Sequence, residues 1–210
     1  MTKKELRQHL RQVIANVSPE ALQRRSAQAC ALLTSTREYK KAEVIMVFLS
    51  LPTEIDTTSL VLHAWRDMKR VLAPKVSWEQ RRMLPIEIKS LSDNVSESPL
   101  GIREPAQGVP FPVANIDLVI VPGLGFDRFG NRIGRGRGFY DRFLAHRDWH
   151  GTACALALEE QFVPEVPTTE LDMRVDMLVT DVTIRRFPKS VARQPDPPSP
   201  VPPISPRDAS

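Results

Sequence analysis

Two cysteines, Cys30 and Cys154, are all that the 210 residues carry. They build neither a disulfide framework nor a zinc set. Each sits in an apolar run, where a buried, reduced thiol is the ordinary outcome, and this suits a reducing cytoplasm. Histidine is scarce too: His9, His63, His146 and His150 fall in helix-like or exposed settings. No Ser-His-Asp or Cys-His arrangement is spelled, so zinc chemistry and nucleophilic catalysis are not expected. No apolar run approaches the ~20 residues of a membrane span, and the N-terminus has no signal-like apolar core. Charge of one sign is missing as well. Lys and Arg number 29 and Asp and Glu 25, a net of +4, with acids mixed in throughout, which argues against a dedicated nucleic-acid binder. The expectation is a cytoplasmic monomer whose partners are small molecules, with no nucleic acid and no membrane.

Glycine is sparse at nine residues, yet Gly123, Gly125, Gly130, Gly134, Gly136 and Gly138 crowd into one stretch, 121–142. Arg132, Arg135, Arg137 and Arg142 share it. An apolar run leads in from Ile116, and a helix-like run, Phe139 to His146, leads out. Glycine permits positive φ and close approach of backbone to a ligand, and a Gly-rich turn opening onto a helix offers N–H groups to an anion.

A chain of this length buries roughly 70% of its unfolded surface and needs no staples. Leu6, Leu10, Val13, Ile14 and Val17 recur at helical spacing, predicting a helix over 3–16. Ser18 and Pro19 restart a helix that runs to about Ser35. Apolar, β-branched runs predict strands at 43–49, 70–76, 83–88, 117–121, 152–158 and 176–180. Thr57 or Thr58 can cap a helix bearing Leu60, Val61, Ala64 and Trp65. Residues 89–112, rich in Pro and Gly, read as a long loop. This alternation predicts an α/β fold: a three-layer αβα, open, mostly parallel sheet with helices on both faces, Rossmann-like but without the dinucleotide fingerprint. Ligands then belong at the carboxyl ends of strands, where the 50–57 and 121–142 loops lie. One domain spans 1–186. From Phe187 to Ser210 prolines crowd among Ser, Asp and Arg, predicting a disordered or polyproline-like tail.

The Gly-rich stretch lacks the Gly-Lys-Ser/Thr ending of a Walker loop. Alternate glycines let an extended backbone lie against a phosphate chain, and Arg135 and Arg137 can fork onto phosphate oxygens. Asp141 can hold Mg²⁺ through one oxygen. The other reading of the same residues is a turn with solvated arginines and Asp141 as a helix cap. Asp172 is either a second Mg²⁺ ligand or a surface acid. Glu54 either accepts N–H donors of a polar heterocycle or is a solvated loop acid.

The stretch PGLGFDRFGNRIGRGRGFYD (122–141) resembles the 5-formyltetrahydrofolate cyclo-ligases. KKELR (3–7), FLSLPTEIDT (48–57), PKV (74–76), GIREP (101–105) and LDMRVD (171–176) agree in order and spacing. The resemblance covers 3–180. It implies ATP-dependent closure of 5-formyltetrahydrofolate to 5,10-methenyltetrahydrofolate, with ATP as co-substrate and Mg²⁺ as cofactor. By the resemblance, Lys3, Lys4, Arg7, Arg132, Ile133, Gly134, Arg135, Gly136, Arg137, Gly138, Phe139 and Tyr140 bind ATP. Leu49 and Glu54 bind the folate together with Arg135, Gly136, Arg137, Gly138 and Phe139. Asp141 and Asp172 hold the metal, and Arg135, Arg137 and Tyr140 are catalytic. Phe139 stands where the family usually has a first Tyr. In 89–112, where several relatives carry an aromatic that can cover the pterin, Phe111 is the aromatic available.

Overall fold

The computed structural model describes residues 1–92 and 103–188, together with the backbone of 95–97. Helix α1 (Lys3–Ala15) starts at a capping box, in which Thr2 Oγ1 accepts the Glu5 N–H and the Glu5 carboxylate accepts the Thr2 N–H. Its buried stripe is Leu6, Leu10 and Ile14. Ser18 Oγ accepts the Ala21 N–H at 3.2 Å and Pro19 fills the first turn of α2 (Pro19–Ser35), as the sequence indicates. Thr36 caps a further short helix, α3 (Arg37–Lys41), which buries only Tyr39 and so has no periodicity to announce it.

Strand β1 (Val44–Met46), helix α4 (Thr58–Arg66) and strands β2 (Arg70–Ser77) and β3 (Arg82–Glu87) follow. Neither threonine caps α4 through its side chain. Thr57 Oγ1 donates to Phe48 O at 2.7 Å, tying the loop to the strand, and Asp56 Oδ1 accepts the Thr58 N–H at 2.9 Å. The expected loop at 89–112 holds an antiparallel ribbon of β4 (Val95–Glu97) and β5 (Arg103–Pro105). Strands of three residues are too short for alternation to be read. Then come β6 (Leu118–Val121), a small ribbon of β7 (Gly125–Phe126) and β8 (Arg132–Ile133), α5 (Phe139–Leu144), β9 (Thr152–Leu156), β10 (Met177–Val179) and β11 (Ile184–Arg186). β11 was not expected, because Ile184-Arg-Arg is short and mostly charged.

The seven-stranded sheet runs β11-β10-β9-β6-β1-β2-β3. Its five inner strands are parallel, and hairpins add β3 and β11 antiparallel at the edges. Alternation sorts the inner strands onto two faces. Ile45, Val71, Leu118, Ile120 and Cys154 pack under α2 and α4. Val44, Met46, Leu72, Val119 and Ala153 pack with Phe143 and Leu144 of α5 and with Trp149, whose indole N–H donates to Ile116 O at 3.0 Å. The three-layer αβα reading therefore holds, and both cysteines are buried.

Chain order reverses between β1 and β6: β2 lies on one side of β1 and β6 on the other. The crevice beyond the carboxyl ends of those two strands is where such sheets bind ligands. The 47–57 and 122–138 segments leave from those ends. Phe187, expected to begin the tail, donates its N–H to Asp176 O at 2.8 Å and sets its ring against Gly130, so the folded body reaches it. The rest of the expected tail, from 189 onward, lies outside the described residues, as do Gly101 and Ile102 of the GIREP match.

Candidate functional site

Leu6, Leu10 and Ile14 of α1 pack on Leu124, Ile133 and Val166, so the helix lies across the β7–β8 ribbon. Gly125 makes that approach possible, since a Cβ there would stand 2.5 Å from Leu10 Cδ1. Docked this way, α1 turns Lys3 and Arg7, one turn apart on one face, into a cavity of about 840 Å³. Lys4 does not line it. It is rotated by about 100° from Lys3 on the helix and is exposed. Leu49, Glu54, the whole run from Arg132 to Asp141, and Asp172 all line the cavity, so the other sequence-predicted residues meet in one place.

The ribbon is rigid for a reason the sequence reading missed. Asp127 is completely buried and accepts four N–H bonds: Phe129 N at 2.9 Å, Asn131 N at 3.0 Å, Asn131 Nδ2 at 2.9 Å and Val166 N at 3.0 Å. The signal was available, because Asp followed by Gly-Asn within four residues is an Asx-turn pattern. Beyond the ribbon, Gly136 adopts φ +96°, a backbone that side chains rarely take, and Arg7 lies against it. Arg7 Nε donates to Gly134 O at 2.9 Å. The wall facing α1 is thus backbone and guanidinium. Gly138, not Asp141, is the N-cap of α5, and Asp141 lies in its first turn.

Arg132 is 8% exposed and donates from Nη2 to Asp141 Oδ1 at 2.8 Å and from Nη1 to Pro122 O at 3.3 Å. Met173 N also donates to Asp141 Oδ1, at 3.2 Å. Lys3 pairs with Asp172 Oδ2, which also takes Thr169 N at 2.6 Å and Thr169 Oγ1 at 2.9 Å. Burial opposes the charge on Asp172, but the hydrogen bonds from Lys3 and Thr169 outweigh it and hold this carboxyl below its ordinary value. Among the described residues, protein donors meet only Oδ1 of Asp141 and only Oδ2 of Asp172. Each carboxylate so keeps a second oxygen for a cation. Among the described residues no group of three or more His, Cys, Asp and Glu is gathered for a metal. A cation held here would take most of its oxygens from water or phosphate, which is the habit of Mg²⁺.

Arg135 donates to Glu54 Oε1 from Nε at 3.0 Å and from Nη2 at 2.9 Å. Glu54 Oε2 accepts Leu51 N at 3.1 Å. Tyr140 is half-buried, and its hydroxyl is buried without a partner among the described residues. Burial first, and the nearby Glu54 charge second, push its phenol far up, so it remains a neutral donor. Phe111 lies away from the cavity, with Arg70 stacked 4.5 Å from its ring centroid. Among the aromatics that do line the cavity, with Phe48, Phe139 and Tyr140, is Trp78, in the β2–β3 turn. Carrying the alternation of Pro74 and Val76 two residues further would have found it.

A family model described as the 5-formyltetrahydrofolate cyclo-ligase family matches residues 1–181. The mouse 5-formyltetrahydrofolate cyclo-ligase is 30% identical over 185 residues, 83% of this chain and 91% of that protein. The enzyme of that name from Escherichia coli K12 is 31% identical over 175 residues, 81% and 96% of the two chains. An NMR structure of the Aquifex aeolicus 5,10-methenyltetrahydrofolate synthetase superposes with a TM-score of 0.78 at 29% identity, covering 90% of this chain and 95% of that one. A synthetase structure from Mycoplasma pneumoniae, at TM-score 0.71 and 18% identity, shares the fold. Among the described residues no helix is long and apolar enough to cross a membrane.

Proposed function

The chain belongs to the 5-formyltetrahydrofolate cyclo-ligase family, and on that premise we propose that it closes 5-formyltetrahydrofolate to 5,10-methenyltetrahydrofolate with ATP, releasing ADP and phosphate. One observation carries this reading. A single cavity joins an arginine-rich glycine wall, two carboxylates and an apolar slot ended by Glu54. Such a cavity suits two ligands, one polyanionic and one heterocyclic.

The chemistry needs that meeting. A formamide oxygen leaves poorly, and the N5 lone pair is delocalised into the carbonyl. In the proposed reaction the formyl oxygen attacks the γ-phosphorus. A new O–P bond forms and the bond to the ADP oxygen breaks. N10 then attacks the formyl carbon, the C–O bond breaks, phosphate departs with its electron pair, and N10 loses its proton. Catalysis of this kind is positioning and charge neutralisation, and no protein nucleophile is called on.

The residues take roles accordingly. Arg7 and the 134–138 backbone line the phosphate side, with Lys3 beside them on Asp172. Arg135 and Arg137, more exposed than Arg132, offer guanidinium forks to phosphoryl oxygens. Glu54 accepts pterin N–H donors, and Leu49 packs on the ring. The neutral Tyr140 hydroxyl is a donor without an acceptor among the described residues, available to a substrate oxygen. Asp141 and Asp172 would hold Mg²⁺ through their second oxygens, and the bound ion would offset phosphate charge.

The test is direct. Purified chain with ATP, Mg²⁺ and 5-formyltetrahydrofolate is expected to develop the absorbance of the methenyl product, and Arg137→Ala to abolish it while the far-ultraviolet circular dichroism stays unchanged. Folded wild-type chain that yields no product across pH and metal would sink the proposal.

A further inference from the structure

Pro74 and Val76 alternate toward the cavity along β2, and Trp78, two residues on, continues their line. Val76 faces Met83 across the β2–β3 pair, and Met83 lines the same wall. The result is an apolar strip about 13 Å long by strand rise. Its burial falls off outward. Pro74 and Val76 are half-buried, whereas Trp78 is 44% exposed. The indole is nevertheless held. It meets Phe139 edge to face, with ring centroids 5.2 Å apart and planes at 87°, and the Arg137 guanidinium carbon stands 6.0 Å from its centroid. An aromatic ring fixed at two points but nearly half open, in a cavity wall, has area left for a ligand.

The structure assigns that area to the aryl ring of the substrate's side arm, an assignment that rests on the cyclo-ligase reading above. A formylated reduced pterin of this class is a heterocycle, then an aryl amide, then carboxylates. Glu54, at the buried end with Leu49, has the chemistry for the heterocycle. A ligand starting there and leaving along β2 puts its aromatic linker at the outer end of the strip. Its carboxylates then reach the exposed guanidinium group of Arg103 at the mouth. Trp78 is thereby a specificity-determining residue for the arm, and Phe139 is the ring that positions it. The Phe–Trp contact uses only the ring edge and face, so it needs no hydroxyl at 139.

The experiment compares the full chain with Trp78→Ala and Trp78→Phe. Two substrates are used: 5-formyltetrahydrofolate, and a 5-formyltetrahydropterin lacking the aryl-glutamate arm. Expected for Trp78→Ala is a rise of about tenfold in KM for 5-formyltetrahydrofolate, with kcat and the KM for ATP unchanged. The armless pterin, titrated by calorimetry, is expected to bind wild type and Trp78→Ala alike, and Trp78→Phe to restore most of the loss. An unchanged folate KM in a folded Trp78→Ala overturns the assignment. So does a rise in the ATP KM instead, which gives the ring to adenine, or an equal loss for the armless pterin, which gives it to the pteridine. A wild-type chain that neither binds nor converts either pterin overturns the cyclo-ligase reading itself, and is told apart by needing no variant.

Discussion

Arg135 gives both Nε and Nη2 to one oxygen of Glu54, at 3.0 and 2.9 Å, in the cavity that Arg7 and Lys3 also line. The pair joins a group assigned to phosphate with a group assigned to the pterin. The Arg135 side chain is 40% exposed, so solvent screens the attraction and the pair adds at most about 1 kcal/mol to stability. Glu54→Gln keeps the shape of the residue and removes its charge. The expected outcome is a melting temperature close to wild type and a folate KM raised roughly tenfold or more, the loss of one charge-assisted hydrogen bond. Steady-state kinetics with a thermal melt checks both halves. A large drop in stability would mean that Glu54 is structural.

Asp127 makes a contrasting case. Its carboxylate holds Phe129, Asn131 and Val166 N–H groups in the buried floor of the β7–β8 ribbon. Asp127→Ala leaves three backbone donors without acceptors, at roughly 1–3 kcal/mol each. A denaturant titration is expected to show a loss of 3 kcal/mol or more, about the smallest sum of those three costs. Turnover of the surviving folded fraction should fall too, since the ribbon carries Arg132 and Ile133 into the cavity wall. Unaltered stability would show that the ribbon holds itself.

Much of this was legible in the chain. Parallel strands read as unbroken apolar runs because both faces of the sheet are covered, as Ile120 and Val119 illustrate by burying against opposite layers. Ser18 and Pro19 name the start of α2 chemically. That residues 132–141 line one cavity was readable because glycines and arginines are concentrated over a few residues. The elements that escaped are short or charged: α3, β4, β5, β7, β8 and β11 have no run long enough to carry a period. Asp127 and Trp78 escaped for another reason. A local signal existed for each, the Asx-turn pattern and the Pro74–Val76 alternation, but the contacts that complete their roles, Val166 in one case and Phe139 in the other, are far away in sequence.

Asp141 carries two duties that a single substitution separates poorly. It is assigned to the metal, and it is also the partner of Arg132, whose side chain is 6% exposed. Removing the carboxylate altogether leaves a buried cation unpaired, at about 3–5 kcal/mol. Asp141→Asn retains an oxygen for Arg132 Nη2 and so is expected to lose less stability than Asp141→Ala, while both lose turnover. Melting curves of the two variants, with Mg²⁺ titrated into the activity assay, distinguish the duties. If added Mg²⁺ restores full turnover to Asp141→Asn, this carboxylate affects affinity for the ion alone; if Asp141→Asn works normally without it, the metal assignment is wrong.

The Lys3–Asp172 pair predicts a pH dependence whose sign follows from its cause. Burial alone would raise the Asp172 carboxyl, but the hydrogen bonds from Lys3 and Thr169 reverse that and lower it. A carboxyl lowered by folding stabilises the folded chain above its ordinary, unfolded value. That contribution is lost as pH falls through the lower, folded value. The tie between α1 and the 169–172 turn should accordingly loosen only in acid. Lys3→Met removes the largest of the lowering contacts, so the Asp172 carboxyl should titrate at higher pH, and the share of acid destabilisation that this carboxyl contributes should shrink. Glu38 provides an internal control: hydrogen bonding to Arg186 brings its carboxyl down to about 2, far from Lys3 at the joint of α3 and β11. Carboxyl carbon NMR titration of wild type and Lys3→Met is expected to move the Asp172 midpoint upward and leave that of Glu38 in place. If Asp172 stays put, Lys3 does not hold it, and Thr169 alone sets its charge.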